Sequence, residues 1–296
     1  MQKKRLKSLV EYLLFIFVLQ FFRIIPYYLG KKIIVRLFLF FGLVIGIRKK
    51  VVLEQLKQAF PTKSKHEIKI ITRNIYKNLA LTSLEMFVQK EPGKISIDGW
   101  KNVVNALKLN RGLIIISGHL GNWELAGRFI ARQNLPLNVV IKRLRNNYFN
   151  DFVNRTRARD GIKIIYKTRT MRPVLAALKN NQIVVMLIDQ NAGKDGINLS
   201  FMNREASVFT GFARLAERYN TPLVLGIALR DGNKENRFIF EKHILPEDYP
   251  ENEQTIRIVE HFNSRLEHYI KENPDQWFWL HRRWKGVHKG KSIVHK

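Results

Sequence analysis

Four residues separate His119 from Glu124 in the run LIIISGHLGNWELAG, residues 113–127. An imidazole near its ordinary pKa takes a proton from a hydroxyl, and a carboxylate beside it fixes the tautomer and stabilises the imidazolium that forms. That is chemistry for turning a hydroxyl into a nucleophile. On one continuous helix this spacing puts the two side chains on different faces, so they meet only if the chain turns between them. Gly118 and Gly121 allow such a turn, and Asn122 is a good N-cap for a helix that follows. Ser117 is close by, but ISGHL lacks the G-x-S-x-G elbow, so the attacking hydroxyl is expected to come from a substrate. A plain loop histidine and a first-turn glutamate favoured by the helix dipole fit the same residues, so the surroundings decide.

The elements that must position this pair are legible from periodicity. Residues 113–117 form a short apolar run, and similar runs at 137–141, 183–188 and 223–229 are separated by helix-length segments. Such runs read as strands buried on both faces, and their alternation with helices predicts a three-layer α/β fold with a largely parallel sheet flanked by helices. Residues 237–244 read as a further strand, 253–271 as a C-terminal helix, and 51–87 as helical with a break at Pro61 and Thr62. His119 then stands at the carboxyl end of a strand, where open α/β sheets place their ligands, and Asp189 stands over the same edge.

Composition narrows the partners. The 296 residues contain no cysteine, which excludes thiolate nucleophiles, disulfides and Cys-ligated zinc, and no cluster with metal-ligand spacing is visible. Lys and Arg total 52 against 24 Asp and Glu, a net charge of +28, so the partner is expected to be anionic: a nucleic acid, an anionic lipid surface or an acidic carrier protein. The first fifty residues carry eleven Lys/Arg and one acid, Glu11, set among apolar runs at 9–25 and 33–47. This favours a membrane surface, and predicts a hydrophobic helical membrane anchor over residues 1–50 followed by a catalytic domain over 51–296. A bilayer span needs about 20 apolar residues. Positive clusters at Lys3–Lys7 and Arg48–Lys50 ask for the same side of the membrane, which two interfacial helices satisfy and a single span does not. No small-residue cleavage site follows the first run, so it does not read as a cleaved signal peptide. In WFWLHRRWK, residues 277–285, Trp interleaved with Arg and Lys suits a membrane interface or stacking on bases, and His281 reads as structural. Arg155, Arg157 and Arg159, taken alone, read as a solvated helix face.

HLGNWE after a buried strand resembles the catalytic motif of the lipid A late acyltransferases, the lauroyl and myristoyl transferases within the lysophospholipid acyltransferase superfamily. KRLRNNYFNDFVNRTRARDGIKII from Lys142, IVVMLIDQNAG from Ile183, ASVFTGFARLAERYNTPLV from Ala206 and NPDQWFWLHRRWK from Asn273 resemble further segments of that family in the same order. The resemblance implies that His119 is the general base and Glu124 its partner. It implies that Arg143 and Arg159 lie near anionic groups of the acceptor or near the reaction centre, and that Asp189 completes a polar floor. The implied donor is the thioester of an acidic acyl carrier protein, and the implied acceptor a phosphorylated lipid A precursor of lipopolysaccharide biosynthesis. No metal and no cofactor beyond the acyl donor are implied, and the implied place is the bacterial inner membrane with the catalytic face cytoplasmic. Two positions depart from the family, which often has an acid where Asn191 stands and a Thr near Val208. The rival acceptors are another phospholipid or a glycolipid mannoside. A basic nucleic-acid-binding protein without catalysis accounts for the charge but for neither the apolar amino terminus nor HLGNWE, so no nucleic-acid partner is expected.

Overall fold

A computed structural model of the chain describes residues 2–88, 94–169, 171–231 and 235–286. The side chains of Lys3 and Lys4, counted above in the basic amino terminus, lie outside the described residues. Two helices open the chain, α1 (Gln2–Ile24) and α2 (Tyr27–Leu39), with Pro26 between them and a π-helical turn at Phe40–Val44 after them. Then come α3 (Lys49–Ala59) and α4 (Lys65–Val88), separated at Pro61 as the sequence predicts. Ser64 and Glu67 exchange reciprocal side-chain bonds that start α4, at 2.8 and 3.2 Å.

The remainder alternates strands and helices: β1 (Lys94–Asp98), α5 (Trp100–Leu107), β2 (Leu113–Ser117), α6 (Trp123–Ala131), β3 (Leu137–Ile141), α7 (Asn147–Arg159), β4 (Ile162–Tyr166), α8 (Met171–Lys179) and β5 (Ile183–Leu187). An antiparallel hairpin of β6 (Ile197–Phe201) and β7 (Arg204–Val208) follows, then α9 (Gly211–Tyr219), β8 (Leu223–Asp231), β9 (Glu235–Phe240) and α10 (Gln254–Glu272). Among the described residues, seven strands form one sheet in the order β1-β9-β8-β2-β5-β3-β4, parallel throughout except for the β8–β9 pair. Leu113, Ile115, Ile183, Val185 and Val224 pack with α5 and α6, whereas Ile114, Ile116, Val184, Leu223 and Leu225 pack with α8, α9 and α10. Each such side chain contributes about 1.5–3 kcal/mol on burial, which is why these strands contain hardly a polar residue. The expected three-layer, mostly parallel sheet is therefore present. β1, an edge strand, escaped the sequence reading because KISID is exposed along almost its whole length and so carries no apolar run.

The amino-terminal helices lie against this body. Tyr12 stacks on Tyr148 of α7 at 5.9 Å between ring centroids, and Phe15 meets Phe87, Phe149 and Phe152 edge-on at 5.1, 4.9 and 5.4 Å. Leu19 and Phe22 are buried with Leu84 and Val88 of α4. The other side of α1 is apolar and exposed, with Leu13, Leu14, Phe17 and Phe21 at its centre. Among the described residues no helix is long and apolar enough to cross a membrane. The spanning form of the expected anchor thus has no counterpart there.

The closing aromatic segment corrects the sequence reading. Trp277, Trp279 and Trp284 are 3%, 0% and 9% exposed, so they belong to the core, not to an interface. Trp277 forms an isolated antiparallel bridge with Leu120, and the Phe278 amide donates to the His119 carbonyl at 3.0 Å. The segment thereby passes directly beneath the turn that follows β2.

Candidate active site

β2 and β5 are neighbours in the sheet, and their carboxyl ends bring His119 and Asp189 together although 70 residues separate them. The turn after β2 is tight. Gly121 has φ of +56°, and a Cβ there would collide with the Ala228 carbonyl oxygen, so the position requires glycine. Asn122 then caps α6, its Oδ1 accepting from the Leu125 amide at 3.0 Å.

Asp189, 3% exposed, accepts three hydrogen bonds: from His119 Nδ1 at 2.8 Å, from the His119 backbone N–H at 2.8 Å and from the Trp277 indole N–H at 2.7 Å. Burial works against the Asp189 charge, but the His119 imidazole and these donors outweigh it and hold the carboxyl down at about 2. For His119, burial alone lowers the pKa, yet the Asp189 charge and hydrogen bond outweigh it and the net displacement is upward, with Glu124 adding and Arg157 opposing. An ionised Asp189 keeps the proton of neutral His119 on Nδ1 and leaves Nε2 as the lone-pair nitrogen. Asp189, not Glu124, is therefore the hydrogen-bond partner of His119.

Glu124 lies in the first turn of α6 and is held instead by Arg157 of α7, which donates from Nε at 3.1 Å and Nη2 at 2.5 Å. Both residues line the same cavity as His119. This cavity is about 840 Å³, and much of its lining is apolar, including Ile130, Val139, Val153, Ile162 and Phe240. Asn150, Val153, Asn154 and Arg157 all face it, the i, i+3, i+4, i+7 stripe of one helix face. Arg159 is two residues farther, turned by about 200°, and is exposed outside the cavity lining. Of the expected arginines, the structure brings Arg143 to the cavity, where it is exposed in the loop after β3, but not Arg159. The Asn191 amide donates to His281 Nε2 at 3.0 Å, and burial lowers the His281 pKa, which suits a neutral imidazole acting as acceptor. Arg157 was missed because a basic run was weighed as a whole. The apolar and amide residues one and two turns before it, Asn150, Val153 and Asn154, are the signal that separates it from Arg155 and Arg159.

Several known proteins are similar to this chain. Over 257 residues the chain is 23% identical to the lipid A biosynthesis palmitoleoyltransferase of Escherichia coli (strain K12), covering 84% of this chain and 82% of that protein. A phosphatidylinositol mannoside acyltransferase of Mycolicibacterium smegmatis is 27% identical over 117 residues, 38% of each chain. Among solved structures, the 1-acyl-sn-glycerophosphate acyltransferase of Thermotoga maritima aligns with a TM-score of 0.41 and 12% identity, over 82% of this chain and 98% of that one. The family described as bacterial lipid A biosynthesis acyltransferase matches residues 1–286, so the chain belongs to that family and is an acyltransferase.

Proposed function

We propose that the chain moves a fatty acyl group from the thioester of an acidic acyl carrier protein to a hydroxyl of a lipid A precursor, with His119 as general base. The observation that carries this reading is a partly exposed imidazole, fixed by the buried Asp189, in the wall of a cavity of about 840 Å³ lined largely by apolar side chains. His119 Nε2 takes the proton of the acceptor hydroxyl as its oxygen attacks the thioester carbonyl carbon. Asp189 stabilises the imidazolium that results. The oxyanion of the tetrahedral intermediate develops beside Arg157, whose guanidinium Glu124 holds in the cavity. Collapse of the intermediate breaks the carbon–sulfur bond, and the leaving thiolate takes the proton back from Nε2. The acyl chain lies along the apolar walls between the sheet, α6 and α7.

Lys142 and Arg143 are exposed at the cavity and suit the phosphates of the acceptor. With α1 and α2 lying in the membrane interface on their exposed apolar side, the acceptor need not leave the bilayer surface to reach the site. On this reading the protein works at the cytoplasmic face of the bacterial inner membrane. Mass spectrometry of lipid A from cells with and without the protein tests it, with His119→Ala as the inactive control. The expected result is loss of one acyl chain from lipid A without the active protein. Unchanged lipid A together with an altered phospholipid or mannoside profile would overturn the acceptor and leave the chemistry.

A further inference from the structure

Bonded to Gly121 and Asn122 of the turn after β2 lies a second charged cluster that the proposed proton transfer does not use. Glu85 of α4 and Arg230 of β8 form a bidentate ion pair, Nη1 to Oε1 at 2.8 Å and Nη2 to Oε2 at 2.6 Å, with side chains 7% and 9% exposed. The same carboxylate accepts from Asn122 Nδ2 at 2.5 Å. One helical turn before it on α4, the Thr82 hydroxyl accepts from Arg230 Nη2 at 3.0 Å and donates to the Gly121 carbonyl at 3.1 Å. Gln276 brackets the backbone of Arg230 with bonds of 2.7 and 2.9 Å, and its own carbonyl accepts from the Gly121 amide at 3.0 Å. Tyr27 of α2 also bonds the Glu85 carboxylate, and burial, aided by that charge, pushes its phenol up to about 12.

A buried ion pair is a weak source of stability, because desolvation of both charges offsets their attraction. Its geometry, by contrast, is highly specified: a planar fork meets a carboxylate that also accepts from an amide and a phenol. That amide belongs to the residue that ends the His119 turn and caps α6, so any shift of Glu85 is transmitted to the turn. Asp189 and the Phe278 amide hold the His119 end, and Glu85 and Thr82 hold the Gly121–Asn122 end.

We infer that Glu85 is a positioning residue for the acyl-transfer reaction, acting through Asn122 directly and through Arg230 and Thr82 indirectly to set the place of His119. The inference rests on His119 being the base.

A reciprocal exchange tests it. Asn122→Asp keeps a cap for α6 but sets two carboxylates against each other. Glu85→Gln removes the charge that Arg230 faces. In the double variant one amide and one carboxylate are again paired, with Gln donating to Asp and Arg230 still beside a negative charge. Per folded molecule, each single variant is expected to lose about tenfold or more in kcat with KM little changed, because a small displacement of a base is costly. The acid limb of the pH–rate profile should move to lower pH as His119 drifts from Asp189, and the double variant should restore both kcat and the limb. Singles with wild-type kcat and profile, or a double variant showing the summed loss of the singles, would overturn the role of Glu85. If the singles do not fold, Thr82→Val against Thr82→Ser carries the test: Ser keeps the hydroxyl and should keep kcat, whereas equal kcat in both overturns the clamp. Measured alongside, an active His119→Ala would remove the base itself. An inactive His119→Ala with an additive cycle would remove only the clamp.

Discussion

Because Asp189 accepts three hydrogen bonds in a buried place, it stays ionised far below neutrality, and the imidazole beside it is correspondingly reluctant to lose a proton. A base must be neutral to act, so with His119 as the proposed base its raised pKa should set the acid limb of kcat/KM above the ordinary histidine value of about 6.5. In Asp189→Asn the larger upward influences vanish, only the smaller one of Glu124 remains, and burial prevails, so the limb should move to lower pH while the plateau falls by about 10²–10⁴-fold, since the imidazolium loses its nearest counter-charge. A limb that stays in place would separate Asp189 from the base. Linkage gives the signs for stability. The Asp189 contribution is present above the unfolded carboxylate value and lost as pH falls toward about 2, while that of His119 is present at low pH and lost as pH rises through its raised folded value. Glu124→Gln should behave differently. It leaves the Asp189 bond in place, so the limb should move only slightly downward, yet kcat should fall by about tenfold or more as Arg157 loses its anchor. The role of Asp189 as partner was only half legible. A carboxylate at the end of an apolar strand is visible in the chain, but that β5 lies beside β2 follows from the sheet order alone, whereas Glu124 was near His119 in sequence and drew the pairing to itself.

At the scale of elements, the strands buried on both faces were legible because nothing polar interrupts them, and the edge strand β1 was not because its face is open to water. The closing segment shows the opposite limit. Trp among Arg and Lys has the same composition at a lipid interface and in a core, and only three dimensions show that Trp279 is wholly buried and Arg283 1% exposed. Arg283 sits over the Phe201 ring at 4.9 Å and donates to the carbonyls of Gln190 and Ser207, and its burial, opposed by Asp189, lowers its pKa to about 10. The segment is thus a strap under β5 and the turn that follows β2. Trp277→Phe keeps an aromatic ring in the strap but removes the indole N–H from Asp189. The expected loss is about 1.5–3 kcal/mol of stability, the range for a bond to a charged group, with the histidine bond to Asp189 preserved. Denaturant unfolding measures it, and an unchanged midpoint would show that Asp189 does not depend on the strap.

At the scale of the whole molecule, the proposed lipid-surface reading calls on two forces, and salt separates them. The net charge of +28 attracts anionic headgroups at long range, and screening shortens that reach to about 8 Å at 0.15 M ionic strength. The exposed side of α1 acts at contact range: Leu6, Val10, Leu13, Leu14, Phe17 and Phe21 recur at helical spacing, and Phe17 is 75% exposed. The opposite side, through Tyr12, Phe15, Leu19 and Phe22, fastens α1 to α4 and α7, so the outer residues can be changed without loosening the body. Vesicle flotation should therefore find wild-type binding to anionic vesicles weakened by salt but not abolished, because burial of apolar side chains is not screened. Phe17→Glu combined with Phe21→Glu should lower binding at every ionic strength and leave only the salt-sensitive part. Turnover of a soluble short-chain donor and acceptor should be unchanged in that variant, since neither side chain lines the cavity. Equal vesicle binding by the variant and the wild type at high salt would mean that the apolar side of α1 is not what meets the bilayer.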